Sequence, residues 1–531
     1  MKVEIRNLGV IKNAEIDLKP LTVFIGRNGT GKTWAACTLA SILGKYGFNK
    51  YRQSYINGKI NDEYPCLDKA IKQFLEEGRT QINLIEFAEK NLESYINNVS
   101  KVSPVWMQTF LNTERVSFDN LEVNVTLTSN QKDEIIRKIT NSSVSVEISF
   151  GFRKKDLDIE KGLRASKEEN SHIIDFYAVS KGDIEKKSTF PQPELKKFIV
   201  ETIFQILHKS FYPYIYIFPT ERTAFVSFLF SVTRQERLAL SREDDGEELN
   251  NSVNNASFEL KDNPNDGDVI KEDETNSKNN ITSTEDILSE LKSLLKKIKN
   301  SELPSNDSPN KRRTGRHYPI ISLTEVIALA SVKTSIERQE EIQKDSIIQK
   351  YIELADILEK DILSGNVTID SSTPQNQIVF QASEDINLEM QVASSMVKEL
   401  APIALCLRHL VQPGELLIID EPEMNLHPAA QVEIIEFLAM LVNTGLNILI
   451  TTHSTYIVDH LVNLMKAAKR DDKDIIQEKF YLENKEAFIS QDNVSVYLFD
   501  DGTAKNILSE EGQIDWSSFS DISDDIANIL I

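Results

Sequence analysis

Leu21-Thr22-Val23-Phe24-Ile25-Gly26-Arg27-Asn28-Gly29-Thr30-Gly31-Lys32-Thr33 opens on a largely apolar run and passes straight into a glycine-rich stretch. A short apolar run bounded by turn residues reads as a buried parallel strand. Beyond it Trp34, Ala35, Cys37, Thr38, Leu39, Ile42 and Leu43 recur at helical spacing, which predicts a helix with an apolar stripe. The connection between them, Gly26 to Thr33, fits G-x-x-x-x-G-K-[ST]. In such a loop the glycines let consecutive backbone N–H groups face a phosphate at a helix N-terminus, where the helix dipole also favours negative charge. Arg27, Asn28, Gly29, Thr30, Gly31, Lys32 and Thr33 are therefore the candidate ATP contacts. Lys32 would meet the β- and γ-phosphates, and the Thr33 hydroxyl would go to Mg²⁺. For Arg27 a solvated loop arginine is an equal alternative.

A second half-site stands far downstream. Leu416-Leu417-Ile418-Ile419-Asp420-Glu421-Pro422 is another apolar strand, ending in adjacent carboxylates. Asp420 is the candidate Mg²⁺ ligand. Glu421, expected to face the opposite way by strand alternation, is the candidate base for an attacking water. Asn447-Ile448-Leu449-Ile450-Thr451-Thr452-His453-Ser454 repeats the pattern and ends in a histidine, a second catalytic candidate that would position the water.

Composition narrows the class. The 531 residues exceed one compact core and predict two or three domains. A formal charge of -22 lowers the odds of a uniform nucleic-acid surface while leaving a local basic groove open. The three cysteines, Cys37, Cys66 and Cys406, lack the close spacing of a zinc or thioredoxin motif and suit a reducing cytosol. The opening residues have neither the apolar core of a signal peptide nor a spanning segment, so a cytoplasmic location with no membrane anchor is expected.

The fold class expected is α/β, with a nucleotide-binding head assembled from both ends of the chain around a large mixed α/β and helical insertion. Residues 1–50 form its N-terminal lobe and 51–215 an inserted lid or arm. Residues 216–240 give a return strand and helix, 241–316 a mostly disordered acidic insertion with one marginal helix at Ile287 to Ile298, and 317–365 a helical arm. Residues 366–531 form the C-terminal lobe.

The phosphate loop, Asp420-Glu421-Pro422-Glu423, the turn Asn425-Leu426-His427-Pro428 and His453 together resemble the ABC/SMC-type ATPases. Leu417 to Pro428 and Thr451 to Val458 are most similar to the OLD-like branch, with RecF and SMC proteins more distant. The resemblance covers the nucleotide-binding lobes and implies cofactors ATP and Mg²⁺. It also implies a D-loop at the turn after the carboxylates and a homodimer or higher oligomer. The helix at Val392 to Leu400 takes the place of the signature helix, making Ser394 and Ser395 candidate contacts to ATP held by the opposite subunit. Met396 departs from the glycine common there, and a Ser-capped core helix is the alternative. Phe218-Pro219-Thr220-Glu221-Arg222 resembles a Pro-x-x-Arg strand end of OLD-like proteins, making Arg222 a candidate site residue. The residues from His453 to Ile531 leave little room for the Toprim-like domain that OLD nucleases carry there, so none is expected. By resemblance the chain looks like a stand-alone ATPase of bacterial anti-phage systems such as Septu, PARIS and retron-linked modules, acting through a separate nuclease or toxin effector. The alternative is a RecF- or SMC-like DNA clamp in genome maintenance, for which the basic run Lys311-Arg312-Arg313 with Arg316 is the best sequence support.

Overall fold

The structure is a computed structural model, and it describes residues 1–154, 157–180, 191–224, 226, 317–370 and 377–514. The expected acidic insertion, its helix at Ile287 to Ile298, the basic run near Lys311 and the tail after Ser517 lie outside the described residues.

One nine-stranded sheet organises the chain. Its strands are β1 (Lys2–Leu8), β2 (Ile11–Asp17), β3 (Leu21–Ile25), β4 (Glu122–Thr126), β5 (Ile215–Phe218), β6 (Leu416–Asp420), β7 (Asn447–Thr452), β8 (Val494–Asp500) and β9 (Thr503–Asn506). They lie in the order β4-β1-β2-β9-β8-β3-β7-β6-β5. The half from β8 to β5 is parallel throughout, whereas β4, β1 and β2 pair antiparallel. The central strand β3 takes both its neighbours, β7 and β8, from the far end of the chain. The α/β class and a head built from both ends are thus features of the fold.

Alternation along these strands divides the apolar residues between two cores. Phe24, Ile217, Leu416, Ile418 and Leu449 face one layer of helices, and Val23, Ile25, Phe218, Leu417, Ile419 and Ile450 face the other. A parallel strand covered on both faces needs an unbroken apolar run, which is why these segments read so plainly. On the first face lie α1 (Lys32–Leu43), α2 (Leu84–Phe110) and α3 (Gln192–Phe211). On the second lie α4 (Tyr318–Val332), α5 (Ser395–His409), α6 (Pro428–Asn443) and α7 (Thr455–Ala468).

Four expectations need correction. First, α1 has no narrow stripe: from Ala35 to Leu43 every side chain is buried, because the helix lies between the sheet and α2. Second, residues 51–215, expected as an inserted lid or arm, are packed into the head. They supply β4 to the main sheet, and Leu92, Tyr95 and Ile96 of α2 share a core with Val3, Ile5 and Leu39. The segment also carries a four-stranded sheet of Arg79–Asn83, Val144–Lys154, Leu157–Lys167 and Ile173–Ser180. Third, the helical arm at 317–365 packs home, since Leu323, Val326, Ile327 and Ala330 are buried against the sheet and α5. The sequence reads Ser322 to Ile362 as one long or broken helix, and the break falls at Lys333 and Thr334, where Thr334 and Glu337 form a capping box that starts a new helix. The fourth concerns Glu421 and belongs to the site.

Among the described residues, the first core holds an acid-sensitive group. His208 on α3 is buried between the Gly44 carbonyl, 3.0 Å from Nε2, and the Tyr95 hydroxyl, 3.2 Å from Nδ1. Burial pushes its pKa down to about 4, against the opposing pull of the Gly44 and Leu43 carbonyls. As pH falls from about 6.5 toward 4, the unfolded chain takes up a proton that the folded chain refuses, so stability is lost over that window. The contribution lost by pH 5 is about 2 kcal/mol. His208→Gln is therefore expected to melt with a shallower pH dependence between 7 and 5 than the parent chain, as thermal unfolding would show.

Candidate nucleotide site

The parallel register sets the ends of four strands side by side. Ile25 pairs with Thr452, Asp420 with Thr451, and Ile419 with Phe218. The segments that follow, Gly26 onward, His453, Glu421 and Pro219, therefore leave the sheet at one edge, where ligand sites gather in open parallel sheets.

The phosphate loop is the first. Gly26 and Gly31 have φ of 153° and 98°. A Cβ at Gly26 would stand 2.4 Å from the Phe499 carbonyl oxygen, and one at Gly31 2.7 Å from Ile11, so both positions demand glycine. Helix α1 begins at Lys32 with no side-chain cap, leaving its first N–H groups to the loop. The Lys32 ammonium donates to the carbonyls of Gly26 at 2.7 Å and Arg27 at 2.9 Å. Its pKa is lowered by burial, against the pull of Glu421, Asp420 and Glu423. Arg27, Asn28 and Gly29 are exposed at the loop's rim, and Thr30 donates to the Arg27 carbonyl.

The second part meets it. Thr33 Oγ1 donates to Asp420 Oδ1 at 2.9 Å across a sequence separation of 387 residues. Thr220 and Thr451 also donate to Asp420, so three hydroxyls converge on one carboxylate. Glu421 does not follow the alternation. Its φ of 49° is left-handed, so the strand ends at Asp420 and a turn, not the pleat, aims the next side chain. That turn is braced: the Glu421 N–H donates to the Thr451 carbonyl at 3.0 Å and lies 3.1 Å from its hydroxyl. Burial and then the Asp420 charge raise the Glu421 pKa, with His453 and Lys32 opposing. His453, half exposed, holds Nδ1 3.6 Å from Glu421 and 3.2 Å from Glu423.

Arg222 lies beneath this edge with no exposed surface. It donates to the carbonyls of Pro219 at 3.0 Å, Asp420 at 2.6 Å, Glu421 at 2.9 Å and Glu399 at 3.2 Å, and pairs with the Glu399 carboxylate at 2.6 Å. Glu399, on α5, also accepts from Thr223 and from Asn425 at 3.1 Å. Arg222 thus props the carboxylate turn from behind. Ser394 and Ser395 are exposed at the start of α5, where the Ser394 hydroxyl accepts from the Val397 N–H at 3.2 Å and caps the helix. The Ser394 side-chain contact is thus local to its own helix. Met396 packs against the second core.

The AAA ATPase domain family matches residues 1–458, which spans the loop, the strand that ends in Asp420, and His453. The chain belongs to this family. Two solved structures are similar to this AAA ATPase domain protein. One is an SMC head domain with an extended coiled coil bound to the C-terminal domain of ScpA, from Pyrococcus furiosus, at 11% identity over 99% of this chain and 98% of that one, with a TM-score of 0.31. The other is an SMC head bound to the C-winged helix domain of ScpA, at 10% identity over 96% and 97%, also with a TM-score of 0.31. No curated protein matches the chain. Among the described residues no single helix is long and apolar enough to cross a membrane.

Sequence reading of this AAA ATPase domain protein passes over Thr220, Thr451, Glu399 and the holding role of Glu423. The hydroxyls leave no local signal, since each matters only by pairing with Asp420 or Glu421 through the fold. Glu423 stands in the quoted carboxylate motif, and its burial is what distinguishes it.

Proposed function

We propose that the chain binds ATP with Mg²⁺ and hydrolyses it to ADP and phosphate. The observation that carries this reading is the 2.9 Å contact between Thr33 of the phosphate loop and Asp420 of the second strand. The donor set fits Mg²⁺, because a hydroxyl and a carboxylate are hard oxygen ligands that meet at one point. Bound there, Mg²⁺ would offset the charge of the phosphate oxygens. Lys32, with the N–H groups that open α1, would hold the phosphates. Glu421, whose pKa burial raises, is suited to take a proton from water, and His453 beside it to hold the terminal phosphate. Phosphate release from ATP by the purified full chain, with and without Mg²⁺, tests the reading; neither binding nor release would sink it. Thr33→Ala is expected to raise the Mg²⁺ concentration for half-maximal rate about tenfold, measured by titration at saturating ATP.

The OLD-like cast of Leu417 to Pro428 and Thr451 to Val458 supports a finer proposal. The chain acts as a dimer or larger assembly in which Ser394 and Ser395 touch ATP of the opposite subunit. As the sensor or scaffold of a bacterial anti-phage system, it controls a separate nuclease or toxin. Phage challenge of cells carrying the chain and its neighbouring genes, with and without Glu421→Gln, tests this. Loss of protection in the variant supports the proposal. Tight, salt-dependent DNA binding by the chain alone, with no effect on protection, favours the clamp instead.

A further inference from the structure

Between Glu421 and His453, the pair that sequence reading assigns to chemistry, stands a third ionisable group with no assigned role. Glu423 is 3% exposed. Its Oε1 accepts from the Thr452 hydroxyl at 2.6 Å and the His453 backbone N–H at 2.8 Å, and lies 3.2 Å from His453 Nδ1. Its Oε2 is buried with no hydrogen-bond partner among the described residues. Two hydrogen-bond donors and, in close contact, the ring nitrogen therefore gather on one oxygen. Glu421 is the rival partner for the ring, but its oxygen stands 3.6 Å from Nδ1, beyond hydrogen-bond reach.

We propose that Glu423 is the positioning residue for His453, fixing the imidazole with its proton on Nδ1 and leaving Nε2 as the ring atom available to a bound ligand. The logic is that of any imidazole whose second nitrogen is tied to a carboxylate: one hydrogen bond decides both tautomer and orientation. Here the same carboxylate also grips the backbone of the residue it orients, through the His453 N–H, so ring and main chain are set by one group. The division of labour leaves Glu421 free of the imidazole and able to turn to water. Thr452 supplies the remaining constraint, because its hydroxyl fixes the rotamer of Glu423 from the end of β7. For its kinetic consequence this inference rests on the ATPase reading; the tautomer does not.

Two measurements test it on the full chain. In protein labelled with ¹⁵N at its seven histidines, the His453 signals are those lost in His453→Ala, and their long-range proton couplings report the tautomer. The expected wild-type result is a proton on Nδ1, moving toward Nε2 in Glu423→Leu. A wild-type ring protonated on Nε2 overturns the proposal, and that spectrum requires no substitution at Glu423. In steady-state hydrolysis, Glu423→Leu is expected to lower kcat about tenfold with KM for ATP within about twofold, and Glu423→Gln, which keeps an acceptor in place, to recover to within about threefold of wild type. In a His453→Ala background the Leu substitution should cost less than about twofold further. Losses that multiply instead overturn the proposal, since Glu423 would then act independently of the histidine. Should the wild-type chain release no phosphate, the ATPase reading falls while the spectrum still decides the tautomer.

Discussion

Glu421→Gln is expected to stop turnover while ATP stays bound. Phosphate release should fall by about 10²- to 10³-fold, with nucleotide recovered on the protein after gel filtration. The expectation rests on how the turn is held. The Glu421 N–H is anchored to Thr451 and its carbonyl to Arg222, so the left-handed backbone owes nothing to the carboxylate. An amide of the same shape therefore keeps the geometry and loses only the ability to take a proton. A variant retaining more than about a tenth of the wild-type rate would move the base elsewhere, with His453 next in line.

Arg222→Leu is expected to destabilise the chain by about 3–5 kcal/mol, because it leaves the Glu399 carboxylate buried without its counter-ion. Burial raises the Glu399 pKa and Arg222 opposes that rise, so removing the guanidinium removes the opposing partner. The double variant Arg222→Leu with Glu399→Leu should regain most of the unfolding midpoint in urea, since an apolar pair of similar volume can replace a buried ion pair. It should not regain hydrolysis, because the carbonyls of Asp420 and Glu421 still lack their donor. Restored stability together with restored hydrolysis would mean that Arg222 serves the fold alone.

The strands were legible because each is covered on both faces and so carries an unbroken apolar run. That property exposed β3, β6 and β7, and with them the order of strand, loop and helix around Lys32. Direction at a strand end was not legible: alternation predicts a pleat at Glu421, and nothing in Asp420-Glu421-Pro422 announces a φ of 49°. Arg222 showed only through the Pro-x-x-Arg resemblance, which made it a candidate without saying what it holds. What makes it matter is Glu399, 177 residues downstream, and no local pattern carries that pairing. The 317–365 segment failed for a related reason. Its helical period marks an apolar face without saying what covers it, and the cover proved to be the sheet and α5.

The central strand has a consequence for biogenesis. Leu21–Ile25 leaves the ribosome well before both strands that flank it, Asn447–Thr452 and Val494–Asp500. At ordinary elongation rates the interval is on the order of tens of seconds. Throughout it a nascent chain carries an apolar ribbon with two bare edges, which invites wrong pairing and makes a holding chaperone valuable. Assembly of the nucleotide pocket accordingly waits for the downstream strands, and a polypeptide released before Asp420 would own the glycine loop without the carboxylates that complete it.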